Sequence, residues 1–149
     1  MRKFWRGKSP ARPASQQAPA PEHPPLPTTG RVQYEDSGEV VPHDWPADDG
    51  LNFVAVVRKY GVHYSLTEAQ WEQLGSIYQA LPGSVTHDQG YPCWFGEVDS
   101  PTGWLDVSVE PSGLLVSGRL PISQWLAWDS AFRDALDGTD FPRIDYGYE

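Results

Sequence analysis

The segment WLDVSVEPSGLLVSGRL, residues 104–120, carries the clearest structural pattern in this sequence. In residues 104–109 the odd-numbered positions are aliphatic, and the even-numbered positions hold tryptophan, aspartate and serine. A period of two is typical of a strand with one buried face. Pro111 and Gly113 then suit a tight turn, and residues 114–120 form the returning strand. The stretch therefore predicts a β-hairpin within an antiparallel sheet.

Further strands are predicted on both sides of this hairpin. Residues 93–98 precede it and would complete a three-strand meander. Residues 51–60, LNFVAVVRKY, are rich in β-branched and aromatic residues and indicate a central strand. Residues 31–35 alternate weakly and suggest one more strand. Together these segments predict a sheet of about four to five strands.

Two amphipathic helices are predicted beside the sheet. Ser65 and Glu68 match a capping box at the start of the first helix, and Pro82-Gly83 would end it. The second helix is expected over residues 122–136, with Gly138 as a left-handed C-terminal cap. Apolar residues recur at helical spacing in both segments: Trp71, Leu74, Ile77, Tyr78 and Leu81 in the first, and Ile122, Trp125, Leu126, Phe132, Ala135 and Leu136 in the second. The predicted fold class is α+β, with two helices packed on one face of an antiparallel sheet.

Charge and proline divide the chain into two parts. Residues 1–30 are proline-rich and carry five basic residues against one acidic residue, whereas residues 31–149 carry six basic against 19 acidic. The first part is expected to be a disordered tail and the second a single domain. A domain so acidic is unsuited to binding nucleic-acid phosphates, and its charge favours a basic protein partner.

The cysteine content and the length of the apolar runs indicate the cell compartment. Cys93 is the only cysteine, so an intramolecular disulfide is impossible and a reducing compartment is indicated. No apolar run approaches the roughly 20 residues that a transmembrane helix needs. The sequence therefore predicts a cytoplasmic protein without a transmembrane segment.

The residues that could carry chemistry have simpler interpretations. Cys93 follows His87-Asp88, but no nucleophile motif accompanies it, and packing explains a cysteine at a strand start. Four possible metal ligands, His43, Asp44, Asp48 and Asp49, lack the spacing of a known metal loop. We therefore expect no catalytic residue, no metal site and no cofactor.

Partner contacts are expected in two acidic segments, residues 35–49 and 134–149. The second segment is favoured because its aromatic residues could anchor an interface. The candidate binding residues are Asp44, Asp48, Asp49, Asp137, Asp140, Asp145, Phe141, Tyr146 and Tyr148.

The pattern from Trp94 to Leu136, WFGE followed by GWLDVSVEPSGL and WLAW, resembles small acidic immunity proteins of bacterial toxin systems. The resemblance is one of general character, and it implies a compact domain that covers the active surface of a toxin. The leading hypothesis is therefore a protein-binding inhibitor or immunity-type protein that neutralises a basic partner. The alternatives are a structural or adaptor component tethered by the basic tail, and a small hydrolase.

Overall fold

A computed structural model describes residues 25–37, 52–85 and 91–147. These residues form two helices and one antiparallel sheet of six strands in the order β1-β2-β6-β5-β4-β3. The elements are β1 (Tyr34–Asp36), β2 (Phe53–Tyr60), α1 (Glu68–Ala80), β3 (Ser84–Val85), β4 (Cys93–Trp94), β5 (Trp104–Glu110), β6 (Gly113–Pro121) and α2 (Ile122–Asp137). The α+β class is confirmed, with more strands than the four to five predicted. Most of the predicted tail lies outside the described residues.

The predicted hairpin is strands β5 and β6. Their register runs from Trp104 opposite Arg119 to Glu110 opposite Gly113. Gly113 has a φ of 137°, and a Cβ there would lie 2.5 Å from the carbonyl oxygen of Tyr60. Glycine is therefore required by both the backbone conformation and the close approach of β2. The hairpin turn and its approach to β2 depend on the same residue.

The predicted central strand is β2, which pairs with β1 on one side and β6 on the other. Its even-numbered residues, Val54, Val56, Arg58 and Tyr60, are all buried. The inclusion of an arginine in that buried face was not foreseen, and it shapes the site described below.

The capping of α1 was predicted at the wrong residues. Thr67 is the N-cap: its hydroxyl accepts from the backbone N–H of Gln70, and the Gln70 side chain accepts from the N–H of Thr67. The Ser65 hydroxyl instead lies 2.8 Å from His63 Nδ1, and Ser65 belongs to the preceding turn. The capping box is present, two residues later than the sequence suggested.

Helix α2 buries a narrower face than predicted. Trp125, Phe132 and Leu136 are buried as expected, but Leu126 is 52% exposed. Residues spaced by three, four and seven lie on one side of a helix, and Leu126 is one position off that line. The helix also ends without a left-handed cap, because Gly138 has a φ of −86°.

The first strand of the predicted meander is much shorter than expected. Strand β4 covers Cys93 and Trp94 only. Phe95 and Asp99 have φ values of 71° and 73°, a conformation that a strand cannot continue through. The chain therefore leaves the sheet in a loop before β5 begins.

Both helices contact the same face of the sheet through a cluster of aromatic rings. Trp94 from β4 lies 5.5 Å from Tyr78 of α1 and 5.0 Å from Trp128 of α2, measured between ring centroids. Its indole N–H donates to the Tyr78 carbonyl. Phe132 packs at 4.8 Å on Tyr60 of β2.

Neither of the two helices described is both long and apolar enough to cross a membrane.

Candidate protein-binding surface

The C-terminal segment, residues 139–147, is held against the start of the domain by one buried arginine. The guanidinium of Arg143 donates to the carbonyls of Gly30, Thr139 and Phe141 at 2.7–3.2 Å. Its backbone N–H donates to the carbonyl of Pro27 at 2.7 Å. Burial lowers the pKa of Arg143, and the negative charges of nearby aspartates partly offset that effect. The domain therefore includes contacts from residues ahead of position 31.

The three predicted aspartates of this region are partly engaged within the molecule. Asp137 is half-buried and accepts from the backbone N–H of Val32 at 2.8 Å. Asp140 is exposed and accepts from the Gln70 side chain at 3.1 Å. Asp145 is exposed and accepts from the backbone N–H two residues further on, as in an Asx-turn. The contact between Asp140 and Gln70 also brings the start of α1 beside the segment that follows α2.

The predicted aromatic contacts are less accessible than the aspartates. Phe141 is 0% exposed and belongs to the core, so its ring is not available to a partner. Tyr146 is half-buried, and its hydroxyl donates to the carbonyl of Ser112 in the β5–β6 turn. The remaining predicted residues, Asp44, Asp48, Asp49 and Tyr148, lie outside the described part of the chain.

A buried ion network joins β1, β2 and α2. Arg58 of β2 donates to both carboxylate oxygens of Asp36 on β1, and its Nη1 donates to Oδ1 of Asp129 on α2 at 3.0 Å. The other Asp129 oxygen accepts from Nε of Arg133 at 2.9 Å. The Tyr60 hydroxyl completes the network by donating to Asp129 at 2.6 Å. Two cations and two carboxylates balance, so the network adds no net charge.

The network is stabilised by its surroundings. Burial disfavours the charged form of Arg58, but the hydrogen bond with Asp36 and the charge of Asp129 outweigh it and raise the pKa of the guanidinium. Burial, together with Asp129, raises the pKa of Tyr60, so its hydroxyl stays protonated and remains a donor. The Arg58 guanidinium also lies 4.1 Å from the centre of the Tyr34 ring.

Sequence reasoning missed this network, although its positions carried a signal. Arg58 falls on the buried side of the period-two pattern of β2, between Val56 and Tyr60. Asp129 falls on the buried stripe of α2, four residues after Trp125. A charged residue on a buried face normally has a partner of opposite charge. Opposite charges on the two buried faces could therefore have been matched with each other.

These pairings leave the exposed surface acidic. Of the six lysines and arginines in the described residues, Arg58, Lys59 and Arg133 lie in ion pairs and Arg143 is buried. Apart from Asp36, which pairs with Arg58, the exposed carboxylates are those of Glu68, Glu72, Glu97, Asp99, Asp134, Asp140 and Asp145. Each ion pair takes one charge of each sign, so the excess of carboxylates over basic side chains in the described residues remains.

A second surface feature is the outer edge of β1. An open groove of about 830 Å³ is lined, among the described residues, by residues 29–36. The backbone groups of Gln33 and Ser37 bond to β2, so those of Tyr34 and Asp36, which alternate with them, point away from β2. No described residue bonds to these outward groups. The N–H of Val32 has the same direction and is held by Asp137.

The cysteine considered above as a possible nucleophile is not accessible. Cys93 is 1% exposed, and burial, with Glu97 and Asp106 nearby, raises the pKa of its thiol. A thiol with a raised pKa is a poor nucleophile. Residues 25–37, 52–85 and 91–147 contain no group of three or more histidines, cysteines or carboxylates placed to hold a metal ion.

Comparison with protein-family models, with curated proteins and with solved structures found no match to this chain.

Proposed function

We propose that this protein is a protein-binding domain, of the inhibitor or immunity type, that docks on a basic partner through its acidic surface. The supporting observation is that most basic side chains of the described residues are paired or buried. Among the described residues, ion pairing or burial removes four of the six basic side chains, while seven carboxylates besides the paired Asp36 are exposed. Such a surface attracts a cationic protein and speeds its association. If the partner is a nuclease, these carboxylates would occupy the place of substrate phosphates.

The end of the molecule where α1 begins and α2 ends is the best part of this surface for docking. Asp140 links the two helices through Gln70, and Asp134 lies exposed on the last turns of α2. Carboxylates presented by helices and their junction have a defined position, which gives specificity as well as attraction.

The test is to capture the partner with the full chain, identify and purify it, and measure its association rate from low to high salt. The variant Asp134→Asn/Asp140→Asn should slow association, and the wild-type rate should fall as salt rises. The matched control is Glu97→Gln/Asp99→Asn, which removes the same charge from the β4–β5 loop. An acidic or neutral partner, or a rate indifferent to salt, would overturn the proposal.

A further inference from the structure

The outer edge of β1 offers a second mode of recognition. Tyr34 and Asp36 direct their N–H and C=O groups away from β2, and both residues are among those that line the groove at this edge. Unpaired backbone groups on an edge strand are a template for another strand. A groove of about 830 Å³ has room for a short extended segment.

The edge is held rigidly enough to serve as a template. Asp36 is fixed by both hydrogen bonds from Arg58, and the Tyr34 ring lies over the same guanidinium. Arg58 is in turn anchored to α2 through Asp129. A strand already held in its bound conformation loses little entropy when a partner pairs with it.

Charge argues against a second copy of this chain as the occupant. In an antiparallel pair of identical strands, a register centred on Glu35 places Glu35 opposite its own copy, and one centred on Asp36 does the same for Asp36. Like charges directly opposite each other are destabilising. A register centred on Tyr34 needs the N–H of Val32, which Asp137 already holds.

The same charges favour a cationic segment. The Glu35 side chain is 41% exposed, and its ion pair with Lys59 is long, at 3.8 Å. A lysine or arginine opposite Glu35 would therefore gain a cross-strand pair. Arg31 lies at the other end of the groove, so the cation belongs at the Glu35 end.

We propose that β1 binds an extended, cationic segment of the partner as a seventh strand, with a lysine or arginine opposite Glu35. This inference rests on the proposed function, because it takes the partner to be basic. It adds the surface that is used and the backbone groups that make the contact.

The test uses the full chain and a capped synthetic peptide of about six residues that alternates lysine with valine. Amide signals of Tyr34 and Asp36 should shift in NMR spectra as the peptide is added. The same peptide with alternate amides N-methylated, and a peptide with glutamate in place of lysine, should both fail to shift them.

A pair of variants isolates the backbone contact. Tyr34→Ala removes the ring and keeps the outward N–H, whereas Tyr34→Pro removes the N–H as well and leaves the bonds to β2 intact. Peptide affinity should be about tenfold lower for Tyr34→Pro than for Tyr34→Ala, as expected for loss of a backbone bond and obstruction of the edge. Thermal melts of the two variants verify that both remain folded.

Equal affinity of the two variants, or equal binding of the glutamate peptide, would overturn the inference. So would self-association of the full chain through this edge, seen as a concentration-dependent shift of the same amides without peptide. None of these results bears on the salt dependence of the purified partner, so the proposed function would fail or stand by its own experiment.

Discussion

At the scale of single residues, burial separates tryptophans that look equivalent in the sequence. Both Trp71 and Trp125 were predicted to anchor a helix in the core. Trp125 is 1% exposed, which confirms its role, whereas Trp71 is half-buried and packs at the margin of the core. The helical spacing identifies the side of a helix but not the depth to which each position is buried.

Replacement of these two tryptophans by alanine should therefore differ in effect. Trp125→Ala should lower the free energy of unfolding by about 3–5 kcal/mol, as for other large core aromatics. Trp71→Ala should cost clearly less, because part of its ring is already in water. Chemical denaturation of both variants measures the difference. Equal losses would show that Trp71 is as deeply packed as Trp125.

Two buried tyrosines make a second matched pair. The hydroxyl of Tyr60 donates to Asp129, whereas the hydroxyl of Tyr78 has no partner among the described residues. Tyr60→Phe should destabilise the protein by about 1–3 kcal/mol, because a buried carboxylate loses a donor. Tyr78→Phe should be neutral or stabilising, because it removes an unsatisfied polar group. Thermal or denaturant unfolding checks both, and a loss at Tyr78 equal to that at Tyr60 would contradict this assignment.

At the scale of elements, local sequence patterns predicted the presence of helices and strands better than the residues at which they end. The strict alternation in residues 104–109 identified β5, because a buried face enforces a period of two over several residues, and the turn residues that follow it predicted β6 as the returning strand. Strand β4 is cut short by positive φ values at Phe95 and Asp99, which no side-chain pattern encodes. Strand β3 has only two residues and was missed for the same lack of a pattern.

The start of α1 can be tested by its two possible caps. Thr67→Ala removes the hydroxyl that accepts from Gln70 and should cost about 1 kcal/mol of stability. Ser65→Ala should cost less, because the Ser65 hydroxyl bonds to His63 in an exposed turn rather than to the helix start. Denaturant midpoints of the two variants give the comparison. A larger loss at Ser65 would restore the cap that the sequence suggested.

The candidate site was predicted only in part, and the reason lies in distance along the chain. Acidic segments can be read directly from composition, and Asp140 and Asp145 do lie exposed. Phe141 could not be assigned to the core without knowing that Arg143 holds the C-terminal segment, residues 139–147, against the start of the domain. The partners of Arg58 lie 22 and 71 residues away, so only the folded arrangement brings them together.

At the scale of the whole molecule, the two ends of the described domain hold each other through Arg143. Removal of residues 1–24 should leave the fold intact, as the composition of the tail also predicts. Removal of residues 1–30 takes away the carbonyls of Pro27 and Gly30, which accept from Arg143. Leaving a buried arginine short of acceptors should cost about 1–3 kcal/mol.

Thermal melts of the two truncated proteins and the full chain test this difference. The shorter truncation should melt close to the full chain, and the longer one clearly lower. Identical melting of both truncated proteins would mean that water or other groups replace the lost carbonyls around Arg143.

The bond between Pro27 and Arg143 also makes this domain a candidate for circular permutation. Because those residues are neighbours in space, a short flexible linker could join residue 147 to residue 25, and new termini could be opened at Pro101 in the exposed loop before β5. Such a permutant would keep every strand pairing of the described residues. Residues 1–24, which hold the basic residues of the tail, would no longer precede β1. It would present the β1 edge within a continuous chain, where a fused peptide ligand could be positioned beside it by design.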